Sequence, residues 1–298
     1  MPDNYYNEIK YVLIKNNVTR AVKQYSINRS DLNTYYEVGR LLSEAGKHYG
    51  DNIIGEYSNK LSKEFGKGYS FTALTRMKKF YEIFSDEKLA PVVQHLTWSH
   101  CVLLLPLKDV DKILYYAIKV HEKSLSKRQL YDCIKNNEYE RLPDRTKNQL
   151  ITHEEPTAID LVKDPIIIKH DPNKQIQSEE ELHQTILEYL EDFLNELGDD
   201  FTFKASEYRI TIGDRYNYID LLLYNIKYRC YVVVELKVTE LKAEHMGQIK
   251  KYMGYIDTHK KSIDDNKTVG IIICKRNNQY VIDYCSDPRI TSREYILI

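Results

Sequence analysis

The sequence predicts an α+β protein of two domains, a mostly helical first half followed by an α/β half built on a mixed sheet. Apolar residues in the first half recur at spacings of three and four, the period of an α-helix. In the second half, runs rich in β-branched and aromatic residues alternate with helical segments. The 298 residues are enough for two domains of about 150 residues each.

A stretch with four prolines, many charges and little periodicity separates the two halves. Such composition is typical of a linker, because it offers no apolar face to bury. We therefore place the first domain at residues 1–145, a linker at 146–177 and the second domain at 178–298.

The composition argues against a polycationic, a disulfide-linked and a membrane-spanning protein. The formal net charge is -1, so any nucleic-acid-binding surface must be a local basic patch. The five cysteines include no C-x-x-C pair, and three of them lie in apolar runs and are better explained as small core residues than as disulfides or zinc ligands. The N-terminus lacks the pattern of a signal peptide, and no run reaches the ~18 apolar residues of a membrane span. We expect a cytoplasmic protein with no membrane segment.

Four segments of the first domain carry the apolar spacing and the caps of helices. The clearest, YSFTALTRMKKFYEIFSDE, is predicted to begin at Ser70 and to bury a stripe of Leu74, Met77, Phe80/Tyr81 and Phe84. A helix over 30–46 is predicted to end at Gly46, and shorter helices with serine caps are predicted within 96–107 and 124–137.

A helix, a glycine-containing turn and a second helix fit residues 57–80, the arrangement of a helix-turn-helix. Six lysines and arginines between residues 60 and 79 are opposed only by Glu64. This composition suits a helix that lies against DNA. The residues predicted to contact nucleic acid are Lys67, Thr72, Arg76 and Lys79. The alternative is a solvated helix face with incidental charge.

The second domain is predicted to run helix, strands, helix, strands. An amphipathic helix over 179–198 ends at Gly198, and a second helix covers 243–259. Strands are predicted at 201–212, 216–225, 229–238, 268–276 and 279–285. Gly213 and Asp214 are the hairpin signal between the first two strands.

Three charged residues interrupt the apolar strands in NYIDLLLYNIKYRCYVVVELKV. Residues two apart in a strand share a face about 7 Å apart, so Glu235 and Lys237 lie together. If the neighbouring strand pairs with theirs, Asp220 can lie beside Glu235. Two adjacent carboxylates repel each other unless a cation lies between them, and Mg²⁺ usually takes one or two protein carboxylates plus water. Lys237 could then orient a water or stabilise phosphoryl charge.

The alternative is a solvated Glu–Lys pair on an exposed sheet face, since E-x-K alone is a common tripeptide. The context favours a metal-dependent phosphodiesterase site, because the triplet ends an apolar strand, an aspartate precedes it on the previous strand and a helix follows.

The segments YIDLLLYN, CYVVVELKV and GQIKKYMGYID resemble the PD-(D/E)xK nuclease module of the bacterial YhcG-type proteins. YYEVGRLLSEAGKHYG, LSKEFGKGYSFTALTRMKKFYEIF and QHLTWSHCVLLLPLKD resemble the N-terminal domain of the same family. The resemblance implies a restriction-endonuclease-like second domain and a helical, helix-turn-helix or winged-helix-like first domain that targets the enzyme or mediates assembly.

The resemblance also implies roles for single residues. Asp220 and Glu235 would bind Mg²⁺, with Mn²⁺ as a substitute, and Lys237 would position the attacking water. Gln248 and Tyr252 match a Q-x-x-x-Y element one helical turn apart, and Gln248 would orient the site. Polar packing on a half-buried helix is the other explanation, and for Tyr252 the two stand equal.

One position departs from the family pattern. Folds of this kind often carry an acid on the helix before the sheet, near residue 183, where this chain has His183. The histidine is either a core or capping residue or a replacement for that acid near the metal.

The sequence thus predicts a Mg²⁺-dependent nuclease acting on nucleic acid, with DNA favoured over RNA, and with defence against or restriction of foreign DNA as the biological role. A homodimer is expected because cutting both strands needs two sites. One alternative function is a non-catalytic DNA-binding or assembly protein that keeps the nuclease fold as a scaffold, and another is an enzyme specific for RNA or for branched DNA.

Overall fold

A computed structural model describes residues 3–22, 27–50, 52–152, 154–198 and 200–298. The chain divides into two compact units, unit 1 over Met1–Tyr139 and unit 2 over Glu140–Ile298. The predicted α+β division is confirmed: unit 1 is helical in its described part, and unit 2 contains a mixed sheet.

Eight helices cover the described part of unit 1. That part contains no strand, so it lacks the β-strand wing of a winged-helix domain. The helices are α1 (Asp3–Val22), α2 (Ile27–Tyr49), α3 (Ile53–Phe65), α4 (Phe71–Phe84), α5 (Ala90–Val93), α6 (Trp98–Leu104), α7 (Val110–Lys123) and α8 (Lys127–Lys135). A 3₁₀ turn over Lys67–Tyr69 joins α3 to α4, which is the predicted helix–turn–helix.

The caps of these helices follow local chemistry. Ser70 accepts a hydrogen bond from the Ala73 N–H and starts α4 as predicted, and Ser126 forms a capping box with Gln129 at α8. The cap of α6 is Thr97 rather than a serine. The helix predicted to end at Gly46 continues to Tyr49, because the left-handed residue that ends it is Gly50, with φ 77°.

The predicted stripe of α4 is buried at Leu74, Met77, Phe80 and Phe84, whereas Tyr81 is only half-buried. This stripe faces α2 at a close crossing. A Cβ on Gly39 of α2 would lie 2.1 Å from the backbone oxygen of Met77. The two helices can therefore approach this closely only with glycine at position 39.

We predict that Gly39→Ala destabilises unit 1 by about 3 kcal/mol, because rigid backbone must move to admit the methyl group. Gly55→Ala is the control, since a Cβ on Gly55 of α3 meets nothing within 4 Å. That variant should be neutral or stabilised by about 0.5 kcal/mol from helix propensity. Denaturant unfolding of both variants checks this, and equal stability of the two would contradict the close crossing.

Unit 2 contains a six-stranded sheet in the order β1-β6-β5-β4-β3-β2. The strands are β1 (Ile166–Ile168), β2 (Phe201–Ile212), β3 (Arg215–Asn225), β4 (Cys230–Glu240), β5 (Val269–Arg276) and β6 (Ile290–Leu297). β2, β3 and β4 are antiparallel neighbours, and β4, β5, β6 and β1 are parallel neighbours.

Helices cover both faces of this sheet and form two apolar cores. The helices of unit 2 are α9 (Asp144–Thr152), α10 (Glu179–Glu188), α11 (Leu190–Leu197), α12 (Ala243–His259) and α13 (Gln279–Cys285). α10 and α11 pack on one face, around Leu221, Val234 and Leu236. α12 packs on the other, around Leu222 and Val233. Successive side chains along β3 and β4 thus pack alternately into two separate apolar cores.

The segment predicted as a linker is part of unit 2. It contains most of α9 and the short strand β1, which pairs with β6, and it buries Ile166 and Ile168 in the core beside α11. The guanidinium of Arg293, on β6, donates to the carbonyl oxygens of Val162 and Ile159. A three-residue strand is too short to show periodicity, so the sequence could not reveal it.

Three further elements differ from the prediction. Residues 279–285 form α13 instead of a strand, because Asn278 caps a helix there and a short apolar run has no decisive period. The helix predicted over 179–198 is divided at Tyr189 into α10 and α11. β6, at the C-terminal end, was not assigned from the sequence.

Candidate active site

The site lies where β3 and β4 stop pairing. Their recorded register ends at Leu221↔Val234, and Asp220 is the next residue of β3. Its Oδ2 accepts a hydrogen bond of 2.7 Å from the N–H of Leu236, two residues beyond the last paired position of β4. A carboxylate thus satisfies a buried backbone donor that the ladder leaves behind. This contact brings Asp220 to the strand that carries Glu235 and Lys237.

The backbone is irregular at the same place. In a regular strand, residues three apart point to opposite faces. Ile219 and Leu222 nevertheless both pack in the core of α12, whereas Leu221 packs in the core of α10 and α11. On β2, Glu207 adopts the left-handed φ of 46°. The register of β2 with β3 is unchanged on either side of this position, so the irregularity is a local change of backbone direction. The irregularity turns β3 at Asp220, so this carboxylate leaves the strict alternation of the strand.

Glu235 is the most deeply buried charged residue of the site, with 1% of its side chain exposed. Its Oε2 accepts a 2.9 Å hydrogen bond from Gln248 Nε2 and lies 3.8 Å from Lys237 Nζ. Its Oε1 has no hydrogen-bond partner among the described residues. Burial, and then the charge of Asp220, raise the pKa of Glu235 to about 9. One oxygen of this carboxylate is therefore held and the other is left for a ligand.

Lys237 is also buried and forms a 3.0 Å ion pair with Oε2 of Glu179, in the first turn of α10. Burial by itself lowers the pKa of Lys237, but the Glu179 hydrogen bond and the charges of Glu235 and Asp220 together raise it above its usual value. The lysine is therefore a cation in the folded protein. Glu179 was not predicted from the sequence. The S-x-x-E capping box of Ser178 and Glu181, which fixes where α10 begins, is the sequence feature that indicates the position of Glu179.

His183 lies one helical turn after Glu179 on α10 and is a neighbour of Asp220. The ring is buried, and its Nε2 has no hydrogen-bond partner within the described part of the chain. Burial raises the pKa of Asp220, and the Leu236 N–H and the charge of Lys237 oppose that rise. The helix before the sheet thus brings both a histidine and an acid to the site, and the acid is one turn earlier than expected.

α12 supplies the amide of the site. Gln248 Nε2 donates both to Glu235 and, at 3.1 Å, to the hydroxyl of Tyr252. Tyr252 is buried and one helical turn away, as the Q-x-x-x-Y spacing predicts. Gln248 uses both amide hydrogens in these contacts, so it fixes the orientation of Glu235. The structure brings together every residue that the sequence analysis placed at this site.

The donor set suits a small divalent cation that keeps part of its water. The described residues contain no group of three or more His, Cys, Asp and Glu side chains arranged to hold a metal ion. Two carboxylates are nevertheless the number that Mg²⁺ usually takes from a protein. The unpartnered Oε1 of Glu235 is a buried hard oxygen ligand, and a cation would satisfy it. The residues present therefore fit Mg²⁺, or Mn²⁺ in its place.

The predicted contacts of unit 1 lie in the turn between α3 and α4 and along the first three turns of α4. Lys67, Thr72, Arg76 and Lys79 are all exposed. In the described structure the three basic side chains form no ion pair, and Glu64 is held by Lys10 and Tyr6. The positive charge of this surface is therefore not neutralised by the one acid in its sequence. No described helix is both long and apolar enough to cross a membrane.

Two family models match the chain and follow its division into two units. Residues 159–294 match the YhcG PDDEXK nuclease domain, and residues 11–141 match the DUF1016 N-terminal domain. A curated relative from Escherichia coli (strain K12), which bears the name "Putative nuclease YhcG", is 27% identical over 291 residues, with 84% of this chain and 78% of the relative covered. The crystal structure of a repair endonuclease from Pyrococcus abyssi is 17% identical with a TM-score of 0.28, and the match covers 42% of this chain and 49% of that one.

We predict that Glu235→Gln raises the thermal midpoint of the metal-free protein at pH 8. The pKa of Glu235 is about 9 in the folded protein against an ordinary value of 4.5, so between these values the folded state holds a proton that the unfolded state releases. Stability therefore falls as pH rises through this window, and glutamine removes the loss. The advantage should shrink towards pH 5.

Calorimetry in EDTA at pH 5 and pH 8 measures this difference, with Glu191→Gln as the control at an exposed acid of α11. The control should change neither midpoint. A Glu235→Gln protein that melts below the wild type at pH 8 would show that the carboxylate is ionised and stabilising without metal.

Proposed function

Because the chain joins a DUF1016 N-terminal domain to a YhcG PDDEXK nuclease domain, we propose that it is a Mg²⁺-dependent nuclease that hydrolyses phosphodiester bonds in DNA. The observation that supports this most is the group formed by the half-buried Asp220 and the buried Glu235 and Lys237 at the point where β3 and β4 part. Buried charges of this density are costly unless a ligand completes them. A scaffold without catalysis has no need of them.

Asp220 and Glu235 would hold the ion in this proposal. The ligands would be Oδ1 of Asp220, the oxygen that does not accept from Leu236, and the unpartnered Oε1 of Glu235. When bound, Mg²⁺ or Mn²⁺ supplies a Lewis acid that activates water and stabilises charge on the phosphoryl group. Gln248 keeps Oε2 of Glu235 occupied, which leaves Oε1 for the ligand. Each carboxylate is therefore oriented by a hydrogen bond on one oxygen while the other faces the site.

Lys237 would orient the attacking water and stabilise the negative charge that builds on the phosphate. Glu179 holds the ammonium at 3.0 Å and favours its charged form. Glu179 is half-exposed whereas Lys237 is buried, so the glutamate is the partner that can move aside when a phosphate arrives. We assign Glu179 the role of positioning Lys237.

The helical unit would bring the nuclease to its substrate through the exposed surface of Lys67, Thr72, Arg76 and Lys79. We further propose a homodimer and a cytoplasmic role in defence against or restriction of foreign DNA. Light scattering and plating of phage on cells that do or do not express the protein test these two parts.

We predict metal-dependent cutting of DNA that Lys237→Met and Asp220→Asn each reduce by about 10²- to 10³-fold. Asparagine is chosen because it keeps an acceptor for the Leu236 N–H, whose loss would cost about 1–3 kcal/mol. Plasmid, linear and single-stranded DNA and RNA are incubated with Mg²⁺, Mn²⁺ or EDTA.

Lys169→Met is the matched control, because this exposed lysine pairs with Asp192 away from the site. It should retain full activity. If the folded wild type binds neither metal by calorimetry and cuts no substrate, the nuclease proposal is wrong, and the non-catalytic scaffold replaces it.

We predict that the triple variant Lys67→Gln/Arg76→Gln/Lys79→Gln binds DNA more weakly and with a reduced salt dependence. Removing three phosphate contacts should lower the slope of log K against log salt by about 2–3. Lys108→Gln/Lys127→Gln/Arg128→Gln makes the same charge change at exposed positions of the same unit. Equal losses in both triple variants would refute a specific contact surface at α4.

A further inference from the structure

Beyond the point where β3 leaves β4, the β2–β3 hairpin continues as a two-stranded arm. We define the hairpin arm as residues 208–219, whose strands pair with each other from Tyr208↔Ile219 to Ile212↔Arg215. The recorded pairing of β3 with β4 begins only at Leu221. The arm therefore ends one residue before Asp220 and projects from the candidate active site.

The two faces of the arm are different. Residues directly opposite in an antiparallel pair share a face. Tyr208, Ile210, Ile212 and Ile219 share the inner face and pack in the core of α12. The outer face carries Arg209 opposite Tyr218 and Thr211 opposite Tyr216. The inner face alone is enough to anchor the arm.

The outer face exposes two aromatic rings. Tyr216 is 65% exposed and Tyr218 is 53% exposed. The guanidinium of Arg209 lies 5.0 Å from the centre of the Tyr216 ring, the diagonal contact that a shared face allows. Two exposed rings and an arginine in register form a flat surface with cationic character. Neither tyrosine is required by the core, which is complete behind them.

The position of these rings relates them to the site. The rise along an antiparallel strand is about 3.4 Å per residue, so Tyr218 and Tyr216 lie about 7 Å and 14 Å along β3 from Asp220. These are distances that one or two nucleotides span beside a phosphodiester at the proposed metal site. Any chain that occupies the site and follows β3 must pass the two rings.

We propose that the outer face of the hairpin arm binds unpaired nucleotides beside the phosphodiester to be cut, through stacking of bases on Tyr216 and Tyr218. The inference rests on the proposed nuclease function of the site and names its substrate class, which is single-stranded nucleic acid or the single-stranded part of a branched molecule. Every base has a face that can stack on an aromatic ring, and arginine adds a cation–π contribution.

Stacking decides between single strand and duplex here. The arm contains Arg209 and Arg215 against Asp214, so its charge gives only a weak attraction for the phosphates of a duplex. Bases inside a duplex are stacked on each other and must be unstacked, at a cost of a few kcal/mol, before they can reach a ring. Unpaired bases avoid that cost. The surface thus favours a strand that is already open.

Binding is measured in EDTA, where no metal-dependent cutting can occur, by fluorescence anisotropy with labelled single-stranded DNA, single-stranded RNA and blunt duplex DNA. The double variant Tyr216→Thr/Tyr218→Thr removes both rings but keeps good strand propensity. Each lost stacking contact should weaken single-strand binding by about 5- to 100-fold. Duplex binding should change by less than about twofold.

Two controls separate stacking from folding. Tyr216→Phe/Tyr218→Phe keeps the rings and should bind single strands like the wild type. Tyr131→Ala removes a ring of similar exposure, 51%, from α8 and should have no effect. A single strand that carries 2-aminopurine should be quenched by the wild type and the phenylalanine variant, and not by the threonine variant.

The inference is overturned if the threonine variant, folded by circular dichroism, binds single strands as tightly as the wild type. It is also overturned if that variant loses duplex and single-strand binding by the same factor. Tighter binding of the DNA or of the RNA strand identifies which of them the arm takes. Ring-dependent binding without any cutting in Mg²⁺ or Mn²⁺ would refute the nuclease proposal and leave the arm as a single-strand binding surface.

Discussion

The antiparallel pairing of β3 with β4 ends at Leu221, and from there the carboxylate of Asp220 takes over the buried N–H of Leu236. This single contact joins the two strands across the gap that opens between them. It places one acid beside the strand that carries the other two charged residues, at the position where the hairpin arm begins. Both the candidate active site and the surface next to it depend on this divergence of two strands.

The charged groups of the site are not all paired with one another. Glu235 has one oxygen bound by Gln248 and one without a partner among the described residues, and burial raises its pKa. Lys237 is neutralised instead by Glu179, from a helix on the other side of the sheet. A buried acid that keeps an open oxygen destabilises the metal-free fold. In the proposed function, the same oxygen would bind the cation, so stability and function would be opposed at this residue.

The two units carry different surfaces. Unit 2 carries the charged site and the exposed rings of the hairpin arm, whereas unit 1 carries an uncompensated basic surface at the start of α4. Phosphate contacts give affinity without regard to sequence, and stacking selects bases that are unpaired. In the proposed function, the surface of unit 1 would bind nucleic acid broadly and the rings of unit 2 would restrict where it is cut.

Features that depend on neighbours along the chain could be predicted from the amino-acid sequence. It determined the helix caps at Ser70 and Ser126, the strands that carry Asp220, Glu235 and Lys237, and the turn-spaced pair Gln248 and Tyr252, because caps and periodicities are local. Only the tertiary structure decided the partners that come from far away. Glu179 meets Lys237 across 58 residues, and β1 joins the sheet through β6, where Arg293 reaches Val162 across 131 residues. Packing of the whole unit selects such contacts, and no local pattern records them.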